Sequence, residues 1–164
     1  TVIFDALSVP YISLLDRSIK AVSSDATTVG DSAFFECRQL ENVELPEATI
    51  ISVGAFYNCK ALTSIHLPKV TIVSNSAFQG CTALQTIELD CATRIDANAF
   101  HGLTALTSLI IRTGSVCSIA SGALYNTPIA SGAGYIYVPE GLVDSYKAAS
   151  NWSTYANQIT AIVE

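Results

Sequence analysis

A chain of 164 residues, half of them apolar and only 13% charged, is sized for one domain with a substantial core, burying roughly 70% of the surface its unfolded form exposes. A net charge of −6 argues against a nucleic-acid partner, which would need a basic stripe. No apolar run approaches the roughly 18 residues of a membrane helix, so no membrane insertion is expected. The chain begins at Thr1 rather than methionine, which leaves two expectations open: a processed product, or a piece of a longer protein. A missing leader says nothing about secretion.

From the amino end, Ile3-Phe4, Leu7 and Val9, then Ile12, Leu14 and Leu15, form an apolar stretch of no clear period. Residues 1–17 read either as a cap or as the stub of something longer. Ser18-Ile19-Lys20-Ala21-Val22 follows, with Ile19 ten residues before Val29 as Leu109 is ten before Ile119. That spacing predicts Ile19 as the strand residue of a divergent first rung.

One phrase then recurs. It reads Ala33-Phe34-x-x-Cys37-x-x-Leu40, Ala55-Phe56-x-x-Cys59-x-x-Leu62 and Ala77-Phe78-x-x-Cys81-x-x-Leu84. Ala99-Phe100-x-x-Leu103-x-x-Leu106 puts leucine for cysteine, and a weaker copy at Ala123-Leu124 follows after 24 residues instead of 22. Each leucine leads into alternating apolar residues: Val43 and Leu45, Ile65 and Leu67, Ile87 and Leu89, Leu109 and Ile111. Another apolar residue stands four before each alanine, at Val29, Ile51, Val73, Ile95 and Ile119. A fixed period in the 20–29 range with L-x-x-L-x-L is the mark of a leucine-rich solenoid, in which no single unit could bury its apolar face alone. We therefore expect an α/β solenoid: leucine-rich repeats of about five turns, period 22–24, over residues 18–131. The alternation is strand period two, and the Phe-Cys-Leu spacing suits a short helical or turn segment. Few charges fit the same picture, since like charges stacked on every rung would repel.

Cys37, Cys59 and Cys81 fall at equivalent positions, so their Cα atoms should lie about 5 Å apart, inside the disulfide range of about 4.4–6.8 Å. Small buried thiols are the reading adopted, because Leu103 replaces the cysteine without breaking the pattern. Cys91 and Cys117 lie outside this ladder, and no C-x-x-C spacing supports a zinc site. Ser131-Gly132-Ala133-Gly134 ends the repeats. Tyr135–Val138 reads as a strand, and Pro139 opens a helix to about Ala149 with Leu142, Val143 and Tyr146 on its apolar face. With Trp152, Tyr155 and the run 159–163, residues 132–164 make a strand-helix-strand cap, as a solenoid end requires.

The unit x-Ala-Phe-x-x-Cys-x-x-Leu-x-x-Val-x-Leu-Pro resembles the BspA-like leucine-rich repeats of bacterial surface proteins. The likeness covers roughly residues 18–131, with Pro46 and Pro68 where that family usually carries proline. Ile136-Tyr137-Val138-Pro139, Tyr146-Lys147-Ala148-Ala149 and Asn151-Trp152 resemble its terminal module. The units are one residue shorter than usual, and later copies lose the cysteine or proline, at Leu103, Thr127, Asp90 and Arg112. The resemblance implies an extracellular or cell-surface protein that adheres to a host extracellular-matrix protein, another cell-surface protein or a glycan.

Chemistry is sparse. There is no G-x-S-x-G, H-E-x-x-H, phosphate loop or full dinucleotide fingerprint, so no catalytic residue, cofactor or metal is assigned. His101 shares an outward column with Phe35, Tyr57 and Gln79 and reads as solvated; Phe35 and Tyr57 would form a small aromatic patch on the turn side, though ordinary packing against the first rung or the N-terminal segment is the preferred reading of the pair. Asn151-Trp152-Ser153 is a sequon taken as coincidence. His66 stands between Glu44 and Glu88 one rung either side, a column that could bind a cation or hold the imidazole protonated; the plainer reading is a solvated cross-strand ladder. In leucine-rich folds the strands line one face with variable outward residues. Here that face, the candidate binding site, comprises Asn42, Ser64, Thr86 and Ser108 beside Glu44, His66, Glu88 and Ile110. It looks polar, mildly acidic and nearly free of large side chains. A non-catalytic adhesion module is the expected function; a structural spacer within a larger surface or phage-tail-like protein is the alternative. The sequence leaves the ligand and the oligomeric state open.

Overall fold

The computed structural model describes the backbone of residues 2–4 and 8–9, and all of residues 18–163. The chain coils into a solenoid whose turns each contribute two short strands. These are β1 (Val2–Phe4) with β2 (Ser8–Val9), β3 (Ala21–Ser24) with β4 (Thr28–Val29), β5 (Asn42–Glu44) with β6 (Ile50–Ile51), β7 (Ser64–His66) with β8 (Ile72–Val73), β9 (Thr86–Leu89) with β10 (Arg94–Ile95), and β11 (Ser108–Ile111) with β12 (Ser118–Ile119). The cap adds β13 (Tyr135–Val138), the helix α1 (Val143–Ala148) and β14 (Ile159–Ala161).

The leucine-rich solenoid is the expected one, with a further turn. β1 pairs in parallel with β3, and β2 with β4, so the start of the chain runs along the same two faces as the repeats. Leu7, Ile12, Leu14 and Leu15 lie outside the described residues. The register of the next turn needs correction: Val22, not Ile19, pairs with Val43 in the strand ladder. Ile19 is buried three residues earlier, where later turns carry Leu40, Leu62, Leu84 and Leu106. The analogy with Leu109 misled because that turn carries an exposed corner at Gly114-Ser115, which lengthens its spacing.

The back sheet is continuous, six strands in the order β12-β10-β8-β6-β4-β2. The strand face is not. It is divided into β1-β3-β5-β7 and β14-β13-β11-β9, with no pairing across the seam between β7 and β9. Ile65, beside the seam, is only half-buried, whereas Val43, Ile87 and Leu109 are buried.

The Ala-Phe-x-x segments form turns, and their geometry rests on a pair of residues four apart. Ser32, Gly54, Ser76, Asn98 and Gly122, and then Glu36, Asn58, Gly80, Gly102 and Asn126, all have φ between +53° and +78°. Glycine and asparagine tolerate this left-handed region best. The two cranked residues aim alternate N–H groups at the following turn. Ser32 donates to the Val53 carbonyl (2.9 Å), Phe34 to Ala55 (2.7 Å) and Glu36 to Tyr57 (2.7 Å), and Phe56, Phe78 and Phe100 repeat the Phe34 bond. The turn side is thus a third hydrogen-bonded wall.

Between the walls, each side chain stacks on its counterpart. Phe34, Phe56, Phe78 and Phe100 are fully buried, with consecutive ring centroids 5.0, 5.2 and 6.0 Å apart, within the favourable range for offset rings. None of the five cysteines forms a disulfide. Cys59 Sγ donates to the Phe34 carbonyl and Cys81 Sγ to that of Phe56, each at 3.0 Å. Hydrogen bonding with the Cys81 thiol, together with burial, holds the Cys59 thiol well above its ordinary range. Threonines rung the back of the coil: the Oγ1 atoms of Thr49, Thr71 and Thr93 donate to the carbonyls of Thr27, Thr49 and Thr71 at 3.0–3.1 Å.

The cap extends the strand face and closes the back sheet. β13 and β14 add two parallel strands beyond β11. This docking needs Gly134, where a Cβ would fall 2.7 Å from the Thr107 carbonyl oxygen and 2.9 Å from Ile129. At the back, three cap side chains stand in for an absent turn. Asn151 Nδ2 donates to the Ile119 carbonyl (2.8 Å), Trp152 Nε1 to that of Cys117 (2.6 Å), and the Cys117 N–H donates to Tyr146 Oη (2.9 Å). Burial pushes the Cys117 thiol up to about 12. Asn151, read as part of a sequon, is engaged in this closure.

Candidate functional site

Strand alternation puts Val43, Ile87 and Leu109 inward and leaves their neighbours on the outer surface. Asn42, Glu44, Ser64, His66, Thr86 and Glu88 are exposed, and Ser108 and Ile110 half-buried. Asn42 aligns with Ser64 and Glu44 with His66; Thr86 aligns with Ser108 and Glu88 with Ile110. The eight predicted residues therefore form two columns on one face, but the seam cuts them into halves. Between the halves lies a polar cleft of about 300 Å³ lined by Ser64, His66, Pro68, Thr86, Glu88 and Asp90.

The less favoured reading of His66, a carboxylate–imidazole–carboxylate column, is interrupted at the seam. Glu88 lies across the seam from His66 and is held instead by Arg112, whose Nη1 donates to Glu88 Oε2 at 2.7 Å and to Asp90 Oδ1 at 3.1 Å. The hydrogen bond with Glu88, and then that with Asp90, raise the guanidinium's affinity for its proton further. Among the described residues, no group of three or more His, Cys, Asp or Glu is arranged to hold a metal ion. No helix among them is long and apolar enough to cross a membrane.

The expectation of a face nearly free of large side chains also fails. The cap strand β13 continues both columns, placing Tyr135 beside Ser108 and Tyr137 beside Ile110. Tyr135 is half exposed, and the two rings lie 6.2 Å apart, tilted at 49°. Aromatic and arginine side chains are the commonest anchors of protein interfaces, and Arg112 lies one turn back at the same end. Sequence reasoning treated Tyr135 and Tyr137 as cap alone. The signal available was their alternation with Ile136 and Val138, which matches the strands of the repeats.

On the turn side, Phe35 and Tyr57 are both half-buried and stack with centroids 5.0 Å apart. His101 is half-buried rather than solvated, stacked at 5.5 Å on Tyr125, which is 66% exposed.

The pattern defining the BspA type leucine rich repeat region matches residues 22–141, in six copies. Two solved structures are similar. A leucine-rich repeat protein from Bacteroides ovatus superposes with a TM-score of 0.66 at 23% identity, over 88% of this chain and 37% of its own. A leucine-rich cell surface protein from Faecalibacterium prausnitzii gives a TM-score of 0.48 at 20% identity, over 91% of this chain and 56% of its own. The chain thus spans little more than a third of the Bacteroides protein's length, and the likeness is one of fold. No curated protein matches the sequence.

Proposed function

This chain belongs to the BspA-type leucine-rich repeat family, and we propose that it is a non-catalytic protein-recognition module acting at the bacterial cell surface or outside the cell. Its ligand in this reading is a host extracellular-matrix protein, engaged by the strand face. The observation that supports it is the pair of outward columns on the strand face, from Asn42 and Glu44 to Ser64 and His66 on one side of the seam and from Thr86 and Glu88 to Tyr135 and Tyr137 on the other. Polar residues on fixed strands give register, and the tyrosines with Arg112 give anchoring groups at one end. Only side chains repeated once per turn vary along this surface, so the partner is a flat or gently extended protein surface rather than a small molecule.

The test is binding of the folded chain to a panel of immobilised host matrix proteins. Saturable binding is expected, weakened roughly thirtyfold by Tyr137→Ala, the loss of about 2 kcal/mol typical of an aromatic anchor. The combined Asn42/Glu44/His66/Glu88→Ala chain should lose part of the affinity. A flat response from folded, monodisperse protein would overturn the recognition reading in favour of a structural spacer.

A further inference from the structure

A groove of about 800 Å³ opens where the last repeat turn meets the cap, a volume within the usual range of about 300–1,000 Å³ for ligand sites. It belongs to neither the strand face nor the back sheet. Its origin follows from the turn ladder. In the interior, the N–H groups of the two left-handed residues point at the carbonyls of the next turn, as Ser32 and Glu36 do toward Val53 and Tyr57. Gly122 and Asn126 are the equivalents in the sixth turn, and the chain departs into the cap without building a seventh. Both residues line the groove. The back of the same end is plugged by Asn151 and Trp152, whereas the turn side stays open.

Tyr125 sets the chemistry. One face of its ring rests on His101, 5.5 Å away and within 4° of parallel. The other face points along the solenoid axis, where a seventh turn would have placed its own ring, and the residue is 66% exposed. Around this platform stand Asn126, Thr127, Ser131, Asn151 and Thr154, with Tyr155 beside them, and no charged side chain lines the groove. An uncharged wall offers no ion-pair partner to phosphates or carboxylates, whose desolvation would go uncompensated. Thr127, Ser131 and Asn151 already donate to the carbonyls of Leu124, Pro128 and Ile119, so a ligand is met chiefly by Asn126, Thr154 and the Tyr155 hydroxyl. A flat aromatic one would cover Tyr125 without using them. A pyranose ring satisfies both demands, with an apolar C–H face for the tyrosine and equatorial hydroxyls for the amides, hydroxyls and turn N–H groups. We propose that this groove is a binding site for an uncharged pyranose sugar, stacked on the free face of Tyr125.

The test titrates the whole chain, followed by NMR, with the methyl pyranosides of glucose, galactose, mannose and N-acetylglucosamine, with short neutral oligomers of each, and with the methyl glycosides of sialic and glucuronic acid as the charged arm. Saturable shifts are expected for at least one neutral sugar, with affinity lowered roughly tenfold or more by Tyr125→Ala and kept within about twofold by Tyr125→Phe, which preserves the ring. Saturation transfer between the sugar C–H protons and the Tyr125 ring in the unsubstituted protein gives the same answer without relying on a variant. The Glu44/His66/Glu88→Ala chain should bind sugar as before, which separates this site from the strand face. No saturable shift with any neutral sugar, binding indifferent to Tyr125→Ala, or binding confined to sialylated or glucuronic sugars would each overturn the proposal.

Discussion

In the repeats, a buried side chain meets copies of itself: Phe56 lies between Phe34 and Phe78, and Cys59 and Cys81 make the same bond one turn apart. In the cap, β13 and β14 still follow the strand ladder, but the residues that close its back have no copies. Tyr146 and Trp152 pack edge to face at 5.3 Å, and each reaches Cys117 by a different bond. The repeats thus spread stability over many equivalent contacts, while the cap concentrates it in a few. A nearest-neighbour array fails at its weakest interface, so the two regions should respond differently to damage.

The largest effect expected is at the centre of the Phe ladder. Phe56→Ala should lower the unfolding free energy by about 3–5 kcal/mol, the usual loss for a buried aromatic. A change below about 1 kcal/mol in denaturant unfolding would mean that the ladder is not the core. Trp152→Phe keeps a ring in the cap but leaves the buried Cys117 carbonyl without its donor, a loss of about 1–3 kcal/mol. Hydrogen exchange should then show β13 and β14 opening before β5 to β8; uniform acceleration would erase the distinction between the regions. Gly134→Ala, pressed against the Thr107 carbonyl, should cost about 1–2 kcal/mol by displacing β13 from β11, again seen first in exchange of the cap. Glu88→Gln should shift the melting midpoint least, by the equivalent of about 0.5 kcal/mol or less, since the pair is exposed and Arg112 keeps Asp90. A collapse on that substitution would mean the face is assigned backwards.

What was legible in the sequence was whatever repeats. Ala33, Phe34, Cys37, Leu40 and their counterparts are all buried, and the strands of the repeats fall on the alternating residues. Alanines before the back strands, Ala26, Ala48 and Ala92, complete a further buried column that small size had concealed. The glycine, asparagine and serine columns that make the left-handed turns were also present as text; one glutamate, Glu36, at such a position blurred them. Interactions that break the period were not legible. Arg112 occurs once, and its grip on Glu88 and Asp90 depends on three residues in two turns. The seam beside Ile65 has no sequence mark at all, because Ile65 keeps the residue type of its column. Tyr135 and Tyr137 escaped notice as part of the face because their distance from Leu109 is set by the long corner at Pro128–Gly134, not by the repeat.

The Phe stack and its paired left-handed turns make each unit an interchangeable link. On the turn side each unit presents donors to its successor, while its threonines and cysteines donate to its predecessor, so a copied 22-residue segment joins on both sides without altering either end. Gene duplication can therefore lengthen the coil one whole unit at a time, adding new outward positions while the interior grammar stays the same. Extra residues are absorbed only where they loop out at a corner, as Gly114-Ser115 does. The length of such a protein is an evolutionary variable that selection can tune separately from its fold.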